Sequence, residues 1–185
     1  DIRGGSVGRV LQAIPTMSKY DDTKAGGYGA QYGDVVNLLS PMILADRSLF
    51  RNSLSTAKAY INAYLVLEPV KGLKYKLNFS PDFSFSRSKY YYGVFDNGLT
   101  KNSVPEGSES RTTLKNVLLE NLLTYDAQLG DHKISALAGY TYQVNTSRYL
   151  IGSGRGMTSG IWELDDATTG LYAGSNHYRS VLISW

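Results

Sequence analysis

With 185 residues the chain is long enough for one ordinary domain, and 15 tyrosines and 19 glycines against 19% charged residues favour strands joined by loops. A formal net charge of +3 with no lysine- or arginine-rich block gives no footing for a nucleic-acid partner, and zero cysteines exclude a disulfide framework or a thiolate metal site. No apolar run reaches the roughly 18 residues that a transmembrane helix requires. Asp1-Ile2-Arg3-Gly4-Gly5 lacks the charged and apolar regions of a signal peptide, so the expectation is a processed chain or one that begins inside a longer protein. Val181-Leu182-Ile183-Ser184-Trp185, which reads as a strand stopping midway, favours the longer protein.

In chain order, Val7 to Ile14 is the first candidate strand, followed by a long polar stretch. From Ala57 to Glu68 the residues alternate, with Ala57, Ala59, Ile61, Ala63, Leu65 and Leu67 on one face and Lys58, Tyr60, Asn62, Tyr64, Val66 and Glu68 on the other. Leu73 to Ser86 sets Leu73, Tyr75, Leu77, Phe79, Pro81, Phe83 and Phe85 against Lys74, Lys76, Asn78, Ser80, Asp82, Ser84 and Ser86. A helix would scatter these two sets around its circumference, whereas a strand sends them to opposite sides. Val117 to Ala127 repeats the pattern, its apolar side interrupted by Asn121. His132 to Asn145 repeats it again, with Ile134, Ala136, Ala138, Tyr140, Tyr142 and Val144 opposing a mostly polar set. A last strand begins near Tyr178, with Val181, Ile183 and Trp185 on its apolar side.

The predicted strands cover about 57–68, 72–87, 112–127, 132–150 and 178–185, with long loops at about 15–56, 88–111 and 151–177. Glu68-Pro69-Val70-Lys71-Gly72 and Gln128-Leu129-Gly130-Asp131 read as tight turns. Short turns at one end and long loops at the other characterise outer-membrane barrels, with periplasmic turns and extracellular loops. Tyr75 and Tyr125 near the short turns, and Phe83 and Phe85 toward a long loop, fit aromatic girdles at two membrane interfaces. The fold class expected is therefore all-β, an antiparallel up-and-down meander from a transmembrane barrel. A soluble lipocalin-like barrel also alternates, but with its apolar face inward.

No nucleophile elbow or Ser/His/Asp constellation appears, so enzyme activity is not expected, nor is a cofactor. The glycine-rich strings at 26–29 and 152–156 have no helix pattern after them and do not read as phosphate cradles. His132 and His177 lack ligand spacing, and the acidic group Glu163, Asp165 and Asp166 falls short of a calcium cage, which needs six to eight oxygens. The sequon Asn145-Thr146-Ser147 has no meaning in a bacterium. Loop aromatics are the candidate ligand contacts: Tyr90, Tyr91, Tyr92, Phe95, Trp162 and Tyr172, whose rings stack on sugars or peptide side chains.

Several strings together resemble the SusC/RagA family of TonB-dependent transporters of Bacteroidetes. They begin with residues 13–21 (AIPTMSKYD), then Gly26-Gly27-Tyr28-Gly29 and Asp34-Val35-Val36-Asn37, where Leu38 departs from the family's Asn-Pro. They continue with residues 59–65 (AYINAYL) and 70–76 (VKGLKYK), then 119–125 (LENLLTY) and 132–140 (HKISALAGY), the last being the most specific. The resemblance covers nearly the whole chain in order. It implies a barrel of about 22 strands with a plug domain in its lumen. It also implies residence in the bacterial outer membrane, a SusD-like surface lipoprotein as partner, and TonB-driven import of glycans, oligosaccharides or peptides through the plug. Neither plug nor TonB box is in this sequence, which would be a middle section of the wall. A non-transporting outer-membrane barrel or adhesin is the alternative, and a soluble lipocalin-like binding domain a more distant one.

Overall fold

The computed structural model describes residues 18–29, 40–96 and 101–185. The candidate strand Val7 to Ile14 lies outside them. A short helix, α1 (Pro41–Ala45), precedes β1 (Phe50–Tyr60), β2 (Ala63–Val70) and β3 (Leu73–Tyr92). Then come β4 (Phe95–Asp96), β5 (Lys101–Asn102), β6 (Glu106–Leu129), β7 (His132–Arg155), a single 3-10 turn (Leu164–Asp166) and β8 (Thr169–Ser184). The main sheet has six strands in the order β1-β3-β6-β7-β8, with β2 also paired to β3, and β4 and β5 form a separate hairpin. The class is the antiparallel all-β meander expected, and the sheet does not close on itself.

The strands run further than hydrophobic alternation suggests. β3 continues to Tyr92, β6 starts at Glu106, β7 ends at Arg155, and β8 starts at Thr169, all inside stretches expected to be loop. β1 likewise begins at Phe50 instead of near residue 57. β6 and β7 each hold 24 residues, against the roughly 9–11 that cross a bilayer. The segment added to β6, Ser108-Glu109-Ser110-Arg111-Thr112-Thr113, is polar on both faces, so backbone pairing continues there where periodicity fades.

One predicted strand is two. β1 and β2 both pair with β3 and are interrupted at Ile61 and Asn62, opposite Pro81. The Ile61 N–H donates to the Pro81 carbonyl at 3.1 Å, but proline has no N–H to return the bond, so the ladder breaks there. Asn62 stays anchored through its side chain, donating to Ser80 Oγ at 2.7 Å and Asn78 Oδ1 at 3.2 Å. Pro69 falls in the register shift between Leu67 and Val70. The turn after it needs glycine: Gly72 has φ 86°, and a Cβ there would sit 2.2 Å from the Asp126 carbonyl oxygen.

The chain divides into two compact units, a wall unit (Ser55–Ser86, Arg111–Leu150, Ser175–Trp185) and a loop unit (Asp1–Leu54, Arg87–Ser110, Ile151–Gly174). In the wall unit the β2–β3 register pairs Ala63 with Phe79, Leu65 with Leu77 and Leu67 with Tyr75, so the two apolar sets share one side. The other side is joined by polar contacts. Thr56 meets Ser86 at 3.1 Å, Asn78 donates to Glu120 at 2.9 Å, and Ser135 to Asp126 at 2.6 Å. Gln143 donates to Asn116 at 3.1 Å, and Asn145 to Ser180 at 3.4 Å. Every buried hydrophobic residue among those described (Ile43, Leu49, Tyr91, Phe95 and Met157) belongs to the loop unit. The wall unit has no such core; Leu65, Phe79, Leu123, Ile134, Val181 and Ile183 are 42–49% exposed.

Asn121, the polar interruption on the apolar side, has a specific partner: the Tyr75 hydroxyl donates to its Oδ1 at 2.6 Å. Removing one member leaves the other unsatisfied against apolar surroundings. Tyr75→Phe or Asn121→Leu alone is expected to cost about 1–3 kcal/mol, and the double substitution less than the sum. A double-mutant cycle in urea refolding of the whole barrel measures this; additive losses would show that the bond is energetically silent.

Candidate functional site

The loop unit contains the residues proposed as ligand contacts, and its geometry begins with a small core. Ile43 on α1, Leu49 and Phe95 pack together, with Tyr28, Leu44 and Tyr92 against them. Pro41 opens α1 at a position where the missing N–H is harmless. Asp46, just past the helix, accepts from the Ser48 N–H at 2.8 Å, the Ser48 hydroxyl at 2.7 Å and the Tyr28 hydroxyl at 2.8 Å. The Ser48 bonds hold the Asp46 carboxyl below its ordinary range, and the bond to Asp46 pushes the Tyr28 phenol up. Gly93 donates to the Leu49 carbonyl at 2.6 Å, and a Cβ on it would meet Leu49 Cα and the Ser48 carbonyl oxygen at 3.1 Å; only glycine permits this approach without a shift. Asn102 then fixes the β4–β5 hairpin, donating to the Gly93 carbonyl at 2.8 Å.

Three of the six candidate aromatics meet. Tyr90 and Tyr92 stack with centroids 5.8 Å apart, and Phe95 meets Tyr92 edge-on at 4.9 Å. Phe50, which the sequence reading did not single out, is edge-on to both tyrosines at 5.8 and 5.7 Å. Tyr91 and Phe95 are fully buried and present no ring face to a ligand. Tyr91 instead accepts the Gly160 N–H at 3.0 Å, holding the β7–β8 connection. Tyr172 is 60% exposed and takes part in none of these ring pairs.

Trp162 belongs to a charged cluster. The Arg51 guanidinium and the Lys89 ammonium each lie 5.1 Å from its ring centroid, within cation–π range. Lys89, nearly buried, reaches Glu163 at 2.5 Å and Glu109 at 3.5 Å, while Arg87 grips Glu109 with two bonds of 2.8 and 2.9 Å. Two members of the acidic group of the β7–β8 loop are engaged: Glu163 pairs with Lys89, and Asp166 accepts from the Thr158 backbone and side chain. Beside Trp162 opens a cavity of about 570 Å³, lined by Leu44, Arg47, Phe50, Arg51, Asn52 and Trp162 among others. Arg47 and Arg51 went unremarked in the sequence because their spacing fits no catalytic or metal motif; their meeting with Trp162 at one cavity depends on the loop fold.

Burial raises the Tyr90 phenol to about 12, with Tyr92 and Glu106 adding to the shift. Spectrophotometric titration near 295 nm should therefore show Tyr90 ionising above the exposed tyrosines, identified as the component lost in Tyr90→Phe. Titration of that component near pH 10 would contradict the packing described.

No family model matches the chain. It is 32% identical over 107 residues to a TonB-dependent receptor, P3, of Formosa agariphila, a match covering 56% of this chain and 10% of that protein. The fold superposes on the RagAB peptide importer in the open-open state with a TM-score of 0.72 at 17% identity, and in the closed-closed state with 0.73 at 16%. Both matches cover 85% of this chain and 18% of the other. The chain thus spans about a tenth of the curated relative's length and under a fifth of the solved ones. These similar proteins are receptors and transporters, not enzymes.

Proposed function

We propose, taking the chain as a SusC/RagA-like segment of a TonB-dependent transporter, that it forms part of an outer-membrane barrel wall through which nutrients enter the cell. The observation carrying this reading is the wall unit: apolar side chains with no core to pack into on one side, and a hydrogen-bonded polar lining on the other. A sheet of that kind suits hydrocarbon outside and a polar lumen inside. Six strands make too little wall to enclose a plug, and open edges in lipid leave backbone groups unpaired, so the working unit is a larger barrel, about 22 strands by the family resemblance. The short turns Lys71-Gly72 and Gly130-Asp131 are then periplasmic, and the longer connections extracellular.

The imported substrates in this reading are glycans, oligosaccharides or peptides, received with a SusD-like lipoprotein and drawn in by TonB through a plug domain. The RagAB structures are described as a peptide importer, which supports a transporter of organic oligomers. Among the loop aromatics, Tyr172 with its exposed ring and Trp162, which lines the cavity with Arg47 and Arg51, are the proposed ligand contacts, while the buried Tyr91 and Phe95 shape the unit.

Deleting the full-length gene should abolish uptake of labelled oligosaccharides or peptides, and collapsing the proton-motive force should do the same in the wild type. Unchanged uptake, with loss of surface attachment, would identify an adhesin instead. Trp162→Ala should weaken substrate binding about 2–10-fold, the worth of one aromatic contact. Isothermal titration on the purified transporter reads this, and unchanged affinity would remove Trp162 from the ligand site.

A further inference from the structure

We propose that the cavity beside Trp162 is a carboxylate subsite, in which Arg51, aided by Arg47, holds the acidic side chains of an incoming peptide. This rests on the reading of the chain as part of a transporter, and it names the class of substrate that the loop unit selects. The cations around Trp162 are not paired alike. Arg87 is matched by Glu109 at 2.8 Å, and Lys89 by Glu163 at 2.5 Å and Glu109 at 3.5 Å. Asp46, next to Arg47 in the chain, is held instead by Ser48 and Tyr28, and Asp166 by Thr158. Among the described residues no carboxylate comes within ion-pair distance of Arg47 or Arg51.

Arg51 is also already posed. Its Nε donates to the Arg47 carbonyl oxygen at 2.6 Å, and its guanidinium lies 5.1 Å from the Trp162 ring centroid. The group is fixed along one edge and one face, so little rotamer freedom remains to be lost on binding. Its two terminal nitrogens bond no described residue. They form the planar fork that grips a carboxylate with two parallel bonds.

The lining favours an acidic peptide over an acidic sugar. The cavity of about 570 Å³ has Leu44, Ala45 and Phe50 on its apolar part. Among the described residues its neutral polar side chains are Asn52 and Ser53, and no carboxylate lines it. A sugar presents hydroxyls that need acceptors as well as donors, and arginine only donates. Arg51 and Lys89, both 5.1 Å from the Trp162 centroid, compete for the ring face on which a sugar would stack. An ionised carboxylate only accepts, and so complements the arginines. The apolar side chains of a peptide pack against Leu44, Ala45 and Phe50, which a sugar's hydroxyls do not suit.

The test uses the purified full-length transporter and three fluorescent probes. These are a C-terminally amidated peptide with glutamates spaced among alanines and leucines, the same peptide with glutamines, and an oligogalacturonate. Fluorescence anisotropy should show the glutamate peptide binding about tenfold tighter than the glutamine one, the worth of one charge-assisted pair. Arg51→Gln should bring the two peptides to equal affinity, and Arg51→Lys should keep part of the preference, since lysine holds the charge without the fork. Equal binding of both peptides by the wild type, or binding of neither, would overturn the proposal without depending on any variant. Tighter binding of the oligogalacturonate than of the glutamate peptide would overturn it in favour of an acidic-sugar site. So would a preference that survives in Arg47→Gln/Arg51→Gln with wild-type heat-modifiable mobility, by placing the selectivity elsewhere. Uptake by energised cells separates this inference from the reading beneath it. Wild-type cells that import neither peptides nor glycans sink the transporter reading, whereas import of both peptides at equal rates sinks only the carboxylate subsite.

Discussion

Leu77→Arg should destabilise the full-length barrel by about 2–4 kcal/mol, while Asn78→Arg, one residue away, should shift stability by no more than about 0.5 kcal/mol. Leu77 pairs with Leu65 on β2, both on the apolar side, and an arginine there must be desolvated in hydrocarbon or drag water to itself. Asn78 pairs with Tyr64 and already bonds Glu120 at 2.9 Å, so an arginine in its place gains an acidic neighbour and stays on the polar side. Reversible refolding into lipid vesicles measures both. Equal losses would mean that the two sides of β3 meet the same medium, and the account of the wall would fail.

Phe95→Ala carries the largest expected effect, about 3–5 kcal/mol, the usual result of removing a fully buried phenyl group. The ring is wholly enclosed, packs with Ile43 and Leu49, and meets Tyr92 at 4.9 Å. The loss should fall on the loop unit, because every residue of this core among those described belongs to it. Hydrogen exchange should accelerate in residues 40–54 while the mid-strand amides of β6 and β7 keep their protection. Uniform loss of protection across both units would show that the core supports the whole chain, contrary to the division described.

The alternation was legible because a strand sends successive side chains to opposite sides, so apolar and polar residues alternate from Leu73 to Phe85, and the pairing of β2 with β3 puts their apolar sets on one side. The strand extensions were not, since Ser108 to Thr113 is polar on both sides and resembles a loop until its pairing is seen. Asn121 looked like a defect because its partner Tyr75 is 46 residues away, and only the placement of β6 against β3 joins them. Pro81 sat in plain view on the apolar side, yet its consequence, the break at Ile61 and Asn62, depends on which residue lies opposite. In the candidate site, aromatic identity drew attention to Tyr90, Tyr91, Tyr92 and Phe95, but residue type does not report burial. Two of these rings turned out to be fully enclosed, and Arg51, which lies over the Trp162 ring, carried no local signature.

The claim on which the rest depends is that odd-numbered residues of β3 face lipid and even-numbered ones face a polar lumen. Spin labels placed singly from Lys74 to Ser86 in the full-length barrel, reconstituted in lipid, test it through accessibility to oxygen and to a water-soluble nickel chelate. The account predicts strict alternation, with oxygen dominating at 75, 77, 79, 83 and 85 and nickel at 74, 76, 78, 80, 82, 84 and 86. Nickel access at both sets of positions, or no alternation at all, would contradict it.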